Sequence, residues 1–444
     1  MSFEYSNLDA VAEIIDSLHK TPVYSEVGQP MVRVTDVKYG VLNLASTFKV
    51  DSEVFDEFSR RYKPKRNDIV ITRVGSFGIT ALVKDTNFCL GQNTAAIVPK
   101  SINPRYLYAA LNSPFLREQI EASAVGSTQK TLSLKCIKLL KIPRLGPQSE
   151  DAVAELIGSL DDRIALLRET NATLEAIAQA LFKSWFVDFD PVYVNAGTQA
   201  PILPPEIQAL FPATFTDSPQ GPIPEGWKLV PFGDLLTHTI GGDWGDELPT
   251  EKNEVRVAII RGTDLPDLAA GNAERVPIRY TSAKKLASRK LQDGDLVLEV
   301  SGGSKDQPTG RSLYLTNGIL SQFDCPMEPA SFCRLLRPES QNISVVLAQH
   351  MTYIYAQGKT WEYQNQSTGI SNFQTTHFLE SERVVVPSDE VLKVFAENVR
   401  PMIDRAHLTQ ISKLTALRDT LLPRLISGQL RLPEAEQAVA AITD

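Results

Sequence analysis

Histidine, cysteine and net positive charge are all scarce in this chain. Its five histidines (His19, His238, His350, His377, His407) lie far apart. None has the spacing of a metal-ligand set or a catalytic triad. The four cysteines (Cys89, Cys136, Cys325, Cys333) form no C-x-x-C pair and read as reduced thiols of a cytoplasmic protein. A formal charge of −8 argues against a surface that binds nucleic acid everywhere, though not against a local basic face. No apolar run approaches membrane-spanning length. The opening segment carries Glu4, Asp9, Glu13 and Asp16, so no secretory signal is expected there.

Catalytic motifs are missing as well. Gly358-Lys359-Thr360 has the end of a phosphate loop, but Tyr353 stands where the first glycine is required. Asp190-Pro191-Val192-Tyr193 is close to an amino-methyltransferase tetrad, yet lacks its second proline and any glycine-rich cofactor strand upstream. Gly75 with Gly78, and Gly302-Gly303, suit tight turns better than a dinucleotide loop. No paired-carboxylate and lysine arrangement of a nuclease stands out.

What the chain does have is a duplication. Arg33-Val34-Thr35-Asp36 returns as Arg261-Gly262-Thr263-Asp264, and Asn67-Asp68-Ile69-Val70 as Gly294-Asp295-Leu296-Val297. Gly78 to Val83 returns as Gly310 to Leu315, Gly126 to Pro143 as Gly369 to Pro387, and Asp162-Arg163 as Asp404-Arg405. The offset of roughly 227 to 244 residues is far longer than any solenoid period, so two whole domains are implied. In the first, β-like runs at Asp68 to Thr72 and Ala95 to Val98 precede a helix expected from Pro104 to Ser123.

A long helix follows each copy. Val153, Ile157, Leu160, Ile164, Leu167, Asn171, Leu174, Ala178, Leu181 and Trp185 are spaced alternately four and three apart, a heptad seam. Its single polar member, Asn171, is expected to fix register at some cost in stability, so leucine there should strengthen the pairing. Eight prolines between Asp188 and Trp227 predict an extended linker. Ile411, Leu414, Leu417, Leu421 and Leu425 carry a second, less regular helix that Pro423 should bend or end, and the tail after Leu432 is expected to fray.

Four stretches carry a family resemblance. Asn67 to Gly78, Gly126 to Lys130 with Lys141-Ile142-Pro143, Leu174 to Phe189, and Leu421 to Gly428 together resemble the specificity subunit of type I restriction-modification enzymes. The second copy departs from the pattern at Ser301 to Thr309, a longer polar insertion. The resemblance implies an α+β chain: two pseudo-repeated α/β target recognition domains separated by two long antiparallel coiled-coil-like helices. The boundaries are residues 1–148 for the first domain, 149–187 for the central helix, 188–226 for the linker, 227–387 for the second domain, 388–432 for the distal helix and 433–444 for the tail. Helix pairing would rest on Ile157, Leu160, Ile164, Leu167, Asn171, Leu174 and Leu181 with Ile411, Leu414 and Leu421. The resemblance further implies a non-catalytic reader of a bipartite double-stranded DNA site that docks two modification (methyltransferase) subunits, with motor-nuclease subunits joining them. S-adenosylmethionine, ATP and magnesium would serve those partners; this chain itself would bind no cofactor or metal.

A DNA reader needs cations for phosphates and planar polar side chains for base edges. Arg60, Arg61, Lys63, Lys65, Arg66 and Arg73 cluster around one acid, Asp68. Ser76 lies in the following glycine turn, and Thr128, Gln129 and Lys130 form a short polar loop. The second domain offers Lys284, Lys285, Lys305, Gln307 and Arg311, then Lys359, Trp361, Tyr363 and Asn365. Trp361 and Tyr363 could equally pack inward. Two other readings stay open on sequence alone: a coiled-coil scaffold without DNA specificity, and a stand-alone methyltransferase or nuclease.

Overall fold

The computed structural model describes residues 4–126, 130–303, 307–367 and 370–443. The chain divides into two compact units, residues 1–166 with 413–444, and residues 167–412.

The first unit is organised around a four-stranded antiparallel sheet in the order Ala12–Asp16, Thr94–Pro99, Ile69–Thr72, Thr80–Leu82. Ile69–Thr72 is buried at every position, as an unbroken β-branched run should be. Beside it, Gln29–Val32 pairs antiparallel with Phe48–Val50 and parallel with Cys89–Leu90. Asn103 caps a helix over Pro104–Leu111, its side chain accepting from the Arg105 and Tyr106 amides. The helix expected to reach Ser123 is broken at Asn112. Ser113 caps a second one, Pro114–Ser123, with Pro114 in its first turn.

The second unit repeats this plan. Its four-stranded sheet runs Leu236–Gly241, Cys333–Pro338, Leu296–Glu299, Ser312–Tyr314, and its three-stranded sheet places Val255–Ile260 between Ile278–Thr281 and Met327–Pro329. The strand senses match the first unit throughout. The duplication read from short motifs is thus a duplication of topology. It also explains why Asn67 and Gly294 correspond: both have positive φ, 71° and 88°. Each introduces an aspartate that accepts a main-chain amide three residues back, Lys65 to Asp68 at 2.9 Å and Gln292 to Asp295 at 2.7 Å.

Pro147–Phe186 is one continuous helix, and every member of its heptad seam is buried or half-buried. In the first unit Val153, Ile157, Leu160 and Ile164 are at most 2% exposed, and Arg418 donates to Asp161 at 2.8 Å. Leu414 and Leu421 are buried in that unit too. In the second unit Leu167, Leu174 and Leu181 are half-buried and Ile411 is buried. There Asn171 meets Ala406, and Phe182 and Phe186 pack edge-to-face with Phe395. That half of the helix therefore runs antiparallel to Asp389–Ala406.

Three sequence expectations are corrected. The proline-rich stretch is no open linker: it forms helices at Asp190–Asn195 and Pro205–Gln208 and a hairpin of Phe215–Thr216 with Ile223–Pro224. Its Phe211 and Trp227 are buried against Trp185 and Phe186, because a chain rich in prolines and aromatics can bury area without regular hydrogen bonding. The distal helix breaks at His407–Thr409, between Asp389–Ala406 and Gln410–Ile426, and Pro423 lies inside the second piece. The tail is helical over Leu432–Thr443, anchored by the fully buried Ala435. Among the described residues no helix is long and apolar enough to cross a membrane.

Candidate nucleic-acid interface

In both units the buried central strand has a cationic segment before it and a polar turn after it. In the first unit Arg60, Arg61, Lys63, Lys65 and Arg66 precede Ile69–Thr72, and all five are exposed. Among the described residues none of them is in an ion pair; Arg61 donates to the Ser17 carbonyl at 3.3 Å. Asp68, the acid of the run, is turned inward, accepting from Tyr62 Oη and the Lys65 amide at 2.9 Å. Burial pushes its carboxyl up. The outer face of the segment is therefore purely cationic.

After the strand the chain turns sharply through Arg73 to Gly78, with φ of 74° at Gly75 and 75° at Gly78. A Cβ on Gly78 would sit 2.5 Å from Ile120 Cγ2, so only glycine fits. The turn is sewn to the polar loop that follows the helix Pro114–Ser123. Gly75 N donates to Lys130 O at 3.3 Å, Leu132 N to Arg73 O at 2.7 Å, and Val125 pairs with Thr131. Ser76, Gly126 and Lys130 are exposed on this composite patch, and Lys130 Nζ lies 5.9 Å from the Phe77 ring centroid. Thr128 and Gln129 lie outside the described residues. Arg73 does not reach outward as expected. Its guanidinium is paired with Asp16 and donates to the Leu132 carbonyl, with its side chain 11% exposed, so it holds the two loops together.

The second unit supplies cations and a polar patch with different parts. Lys284 and Lys285 are exposed on the helix Ala283–Arg289, although Lys285 is paired with Asp243 at 2.8 Å. Beyond the strand Leu296–Glu299, the segment from Ser301 is joined to a hairpin, Gln364–Ser367 with Ile370–Phe373, where the sequence pattern suggests only a loop. Thr309 donates from its amide and hydroxyl to Gln364 Oε1 at 3.0 and 3.1 Å, and Gln307 Nε2 to Tyr355 Oη at 3.3 Å. Gln307 and Asn365 are exposed and Trp361 is 38% exposed, whereas Tyr363 is buried. Lys305 lies outside the described residues.

Two cations proposed from sequence are internally matched here. Arg311 donates two hydrogen bonds to the buried Glu299 at 2.8 and 2.7 Å, and Lys359 lies 2.7 Å from the buried Glu382. Neither has spare charge for a phosphate. The acids Asp16, Glu299 and Glu382 were missed in the sequence because single carboxylates far along the chain carry no local signal. Taken together, each unit has exposed cations in the segment before its central strand and a polar patch in the turn after it. Exposed cations suit phosphates; exposed amides, hydroxyls and Trp361 suit base edges and faces. Among the described residues no three His, Cys, Asp or Glu side chains gather as a metal site.

Comparison with known proteins accords with this geometry. The family "Type I restriction modification DNA specificity domain" matches residues 3–176. The MjaIX specificity subunit of a type I restriction enzyme from Methanocaldococcus jannaschii is 24% identical over 87% of this chain and 82% of its own length. The HindI specificity subunit from Haemophilus influenzae is 23% identical over 82% of this chain and 87% of its own. The crystal structure of a type I restriction-modification S subunit from M. genitalium, 16% identical, superposes with a TM-score of 0.57 over 96% of both chains and shares the fold. Over most of its length the chain is thus similar to type I restriction-modification specificity subunits, and its residues 3–176 match the model of their DNA specificity domain.

Proposed function

We propose that this chain reads a bipartite double-stranded DNA site for a type I restriction-modification complex. Each unit takes one half-site, with its composite polar patch at base edges and its cationic segment on the phosphates. The observation that carries this reading is the pairing of exposed cations with an exposed polar patch around the same central strand, built twice from different side chains. A repeated frame gives two similar footprints; unlike loops give two unlike half-sites. The chain performs no chemistry itself. It docks two modification subunits, which use S-adenosylmethionine, and motor-nuclease subunits that use ATP and magnesium, in the cytoplasm.

The test is a domain exchange. Residues 1–148 are replaced by the matching segment of a relative, and methylation sites are mapped in the presence of the modification subunits. One half of the recognised sequence should change and the other persist. Unchanged specificity in an active chimera, or a change in both halves, would refute the reading. A chain that retains no DNA at low salt would favour a scaffold instead.

A further inference from the structure

Glu382 follows the helix Thr375–Ser381 and is 1% exposed. Its carboxylate gathers three groups from two separate segments. His350 Nε2, from the helix Gln341–Ala356, lies 2.8 Å from Oε1. Lys359 Nζ donates at 2.9 Å to Oε1, and Tyr363 Oη at 2.5 Å to Oε2. Burial alone would push this carboxyl up, but His350, Lys359 and Tyr363 hold it down at about 2. Its three partners thus favour the ionised form of the anchor.

Lys359 and Tyr363 are the first and last residues of one short turn, with the exposed Trp361 at its middle. A buried carboxylate requires its donors, so this turn is pinned at both ends by charge geometry as well as by packing. The constraint continues outward. Tyr363 O accepts from Gln374 N at 2.6 Å across the hairpin, and the next residue, Gln364, accepts twice from Thr309. Gln307 and Asn365 flank that junction. In the first unit the equivalent patch is tied by main-chain pairing at Val74, Val125 and Thr131 and by the Arg73–Asp16 pair.

We propose that Glu382 is a positioning residue for DNA recognition by the second unit: it fixes the Lys359–Tyr363 turn, and through Gln364 the hairpin, in the geometry that presents Trp361 and Asn365 to one half-site. This rests on the reading of the second unit as a DNA reader. It follows that a side chain which never touches DNA sets base discrimination in that half-site alone.

The experiment uses the full chain with its modification subunits. Methylation sites are mapped for Tyr363→Phe, Glu382→Gln, Trp361→Ala and Asn365→Ala, with thermal melting of each chain recorded. Tyr363→Phe deletes one leg of the anchor and keeps the ring in its packing. It should melt near the parent temperature yet lose about tenfold discrimination among bases of the second half-site, the scale of one base contact. Glu382→Gln should lose at least as much, and the first half-site should stay sharp in both. If Trp361→Ala or Asn365→Ala relaxes the second half-site while Tyr363→Phe and Glu382→Gln stay within twofold of the parent, the hairpin reads DNA but Glu382 does not position it, and the proposal falls. If none of the four variants alters the second half-site, the assignment of this hairpin as reader fails, and the proposal with it. Equal loss in both half-sites would make Glu382 merely structural. Should Glu382→Gln fail to fold, Tyr363→Phe still decides.

Discussion

Glu328 should make the second unit lose stability as pH rises from the acid range to neutrality. It lies in the strand Met327–Pro329, is 0% exposed, and neither carboxylate oxygen has a hydrogen-bond partner among the described residues. Burial pushes its carboxyl up and Asp243 adds to the shift, while Arg289 and Lys285 pull against them; the result is about 7. An unfolded glutamate titrates near 4.3. Between those values the folded chain holds a proton that the unfolded chain has released, so stability falls with rising pH across that window and levels off above it. The gap of about 2.5 units at 1.36 kcal/mol each gives about 3 kcal/mol in all. Glu328→Gln removes the titrating group and keeps the shape. The four tryptophans, Trp185, Trp227, Trp244 and Trp361, all belong to the second unit, so intrinsic fluorescence follows its unfolding by urea. Relative to the parent, the variant should gain about 3 kcal/mol between pH 4.5 and pH 8.5. Parallel pH curves for the two proteins would show that Glu328 is ionised in the fold at neutral pH and that the reasoning is wrong.

Further outcomes follow from single interactions. Asn171→Leu should destabilise the second unit by about 1 kcal/mol in urea, because Nδ2 donates at 2.9 Å to the buried Ala406 carbonyl and the loss of that bond outweighs the gain of a half-buried leucine. Asn171→Asp should cost more, since a carboxylate would face the negative end of the helix Asp389–Ala406. Gly310→Ala places a Cβ 2.7 Å from Phe373 Cε2 at φ +94°, so melting should fall by the equivalent of about 1–3 kcal/mol and the second half-site should blur in methylation maps. Replacing Lys63, Lys65 and Arg66 together by glutamine should weaken binding to all DNA sequences alike. The slope of log affinity against log salt should fall by about 0.9 for each phosphate that is no longer neutralised.

The fold was legible where a local rule acts alone. Heptad spacing located the long helix, since the apolar stripe of a helix is written in consecutive turns. Short motifs exposed the duplication because each marks a backbone necessity: positive φ at Asn67 and Gly294, an aspartate closing the turn behind it, and the arginine–aspartate cap at Arg33–Asp36 and again at Arg261–Asp264. Long-range pairing was invisible. Nothing near Arg73 announces Asp16, and nothing near Lys359 announces Glu382, so residues that look like free cations turn out to be spoken for. The acceptor of Asn171 is hidden for the same reason. The residue's place in the seam was readable, but its acceptor is a helix end 235 residues away.

The two units also differ in how they hold the polar patch, and the difference bears on how such a protein can change its target. In the first unit the patch is joined largely through main-chain pairing, which is indifferent to side-chain identity. Substitutions at Ser76 or Lys130 leave those bonds intact, so base-reading side chains there can be exchanged at little structural cost. In the second unit side chains reinforce the main-chain pairing of the hairpin: Glu382 with Lys359 and Tyr363, Gln364 with Thr309, and Phe373 over Gly310. A change at any of these disturbs the presentation of its neighbours, and a lone carboxylate left buried is costly. The frame around both strands is the same, but single substitutions should re-target the first half-site more readily than the second, where the base-reading side chains and the network beneath them must change together.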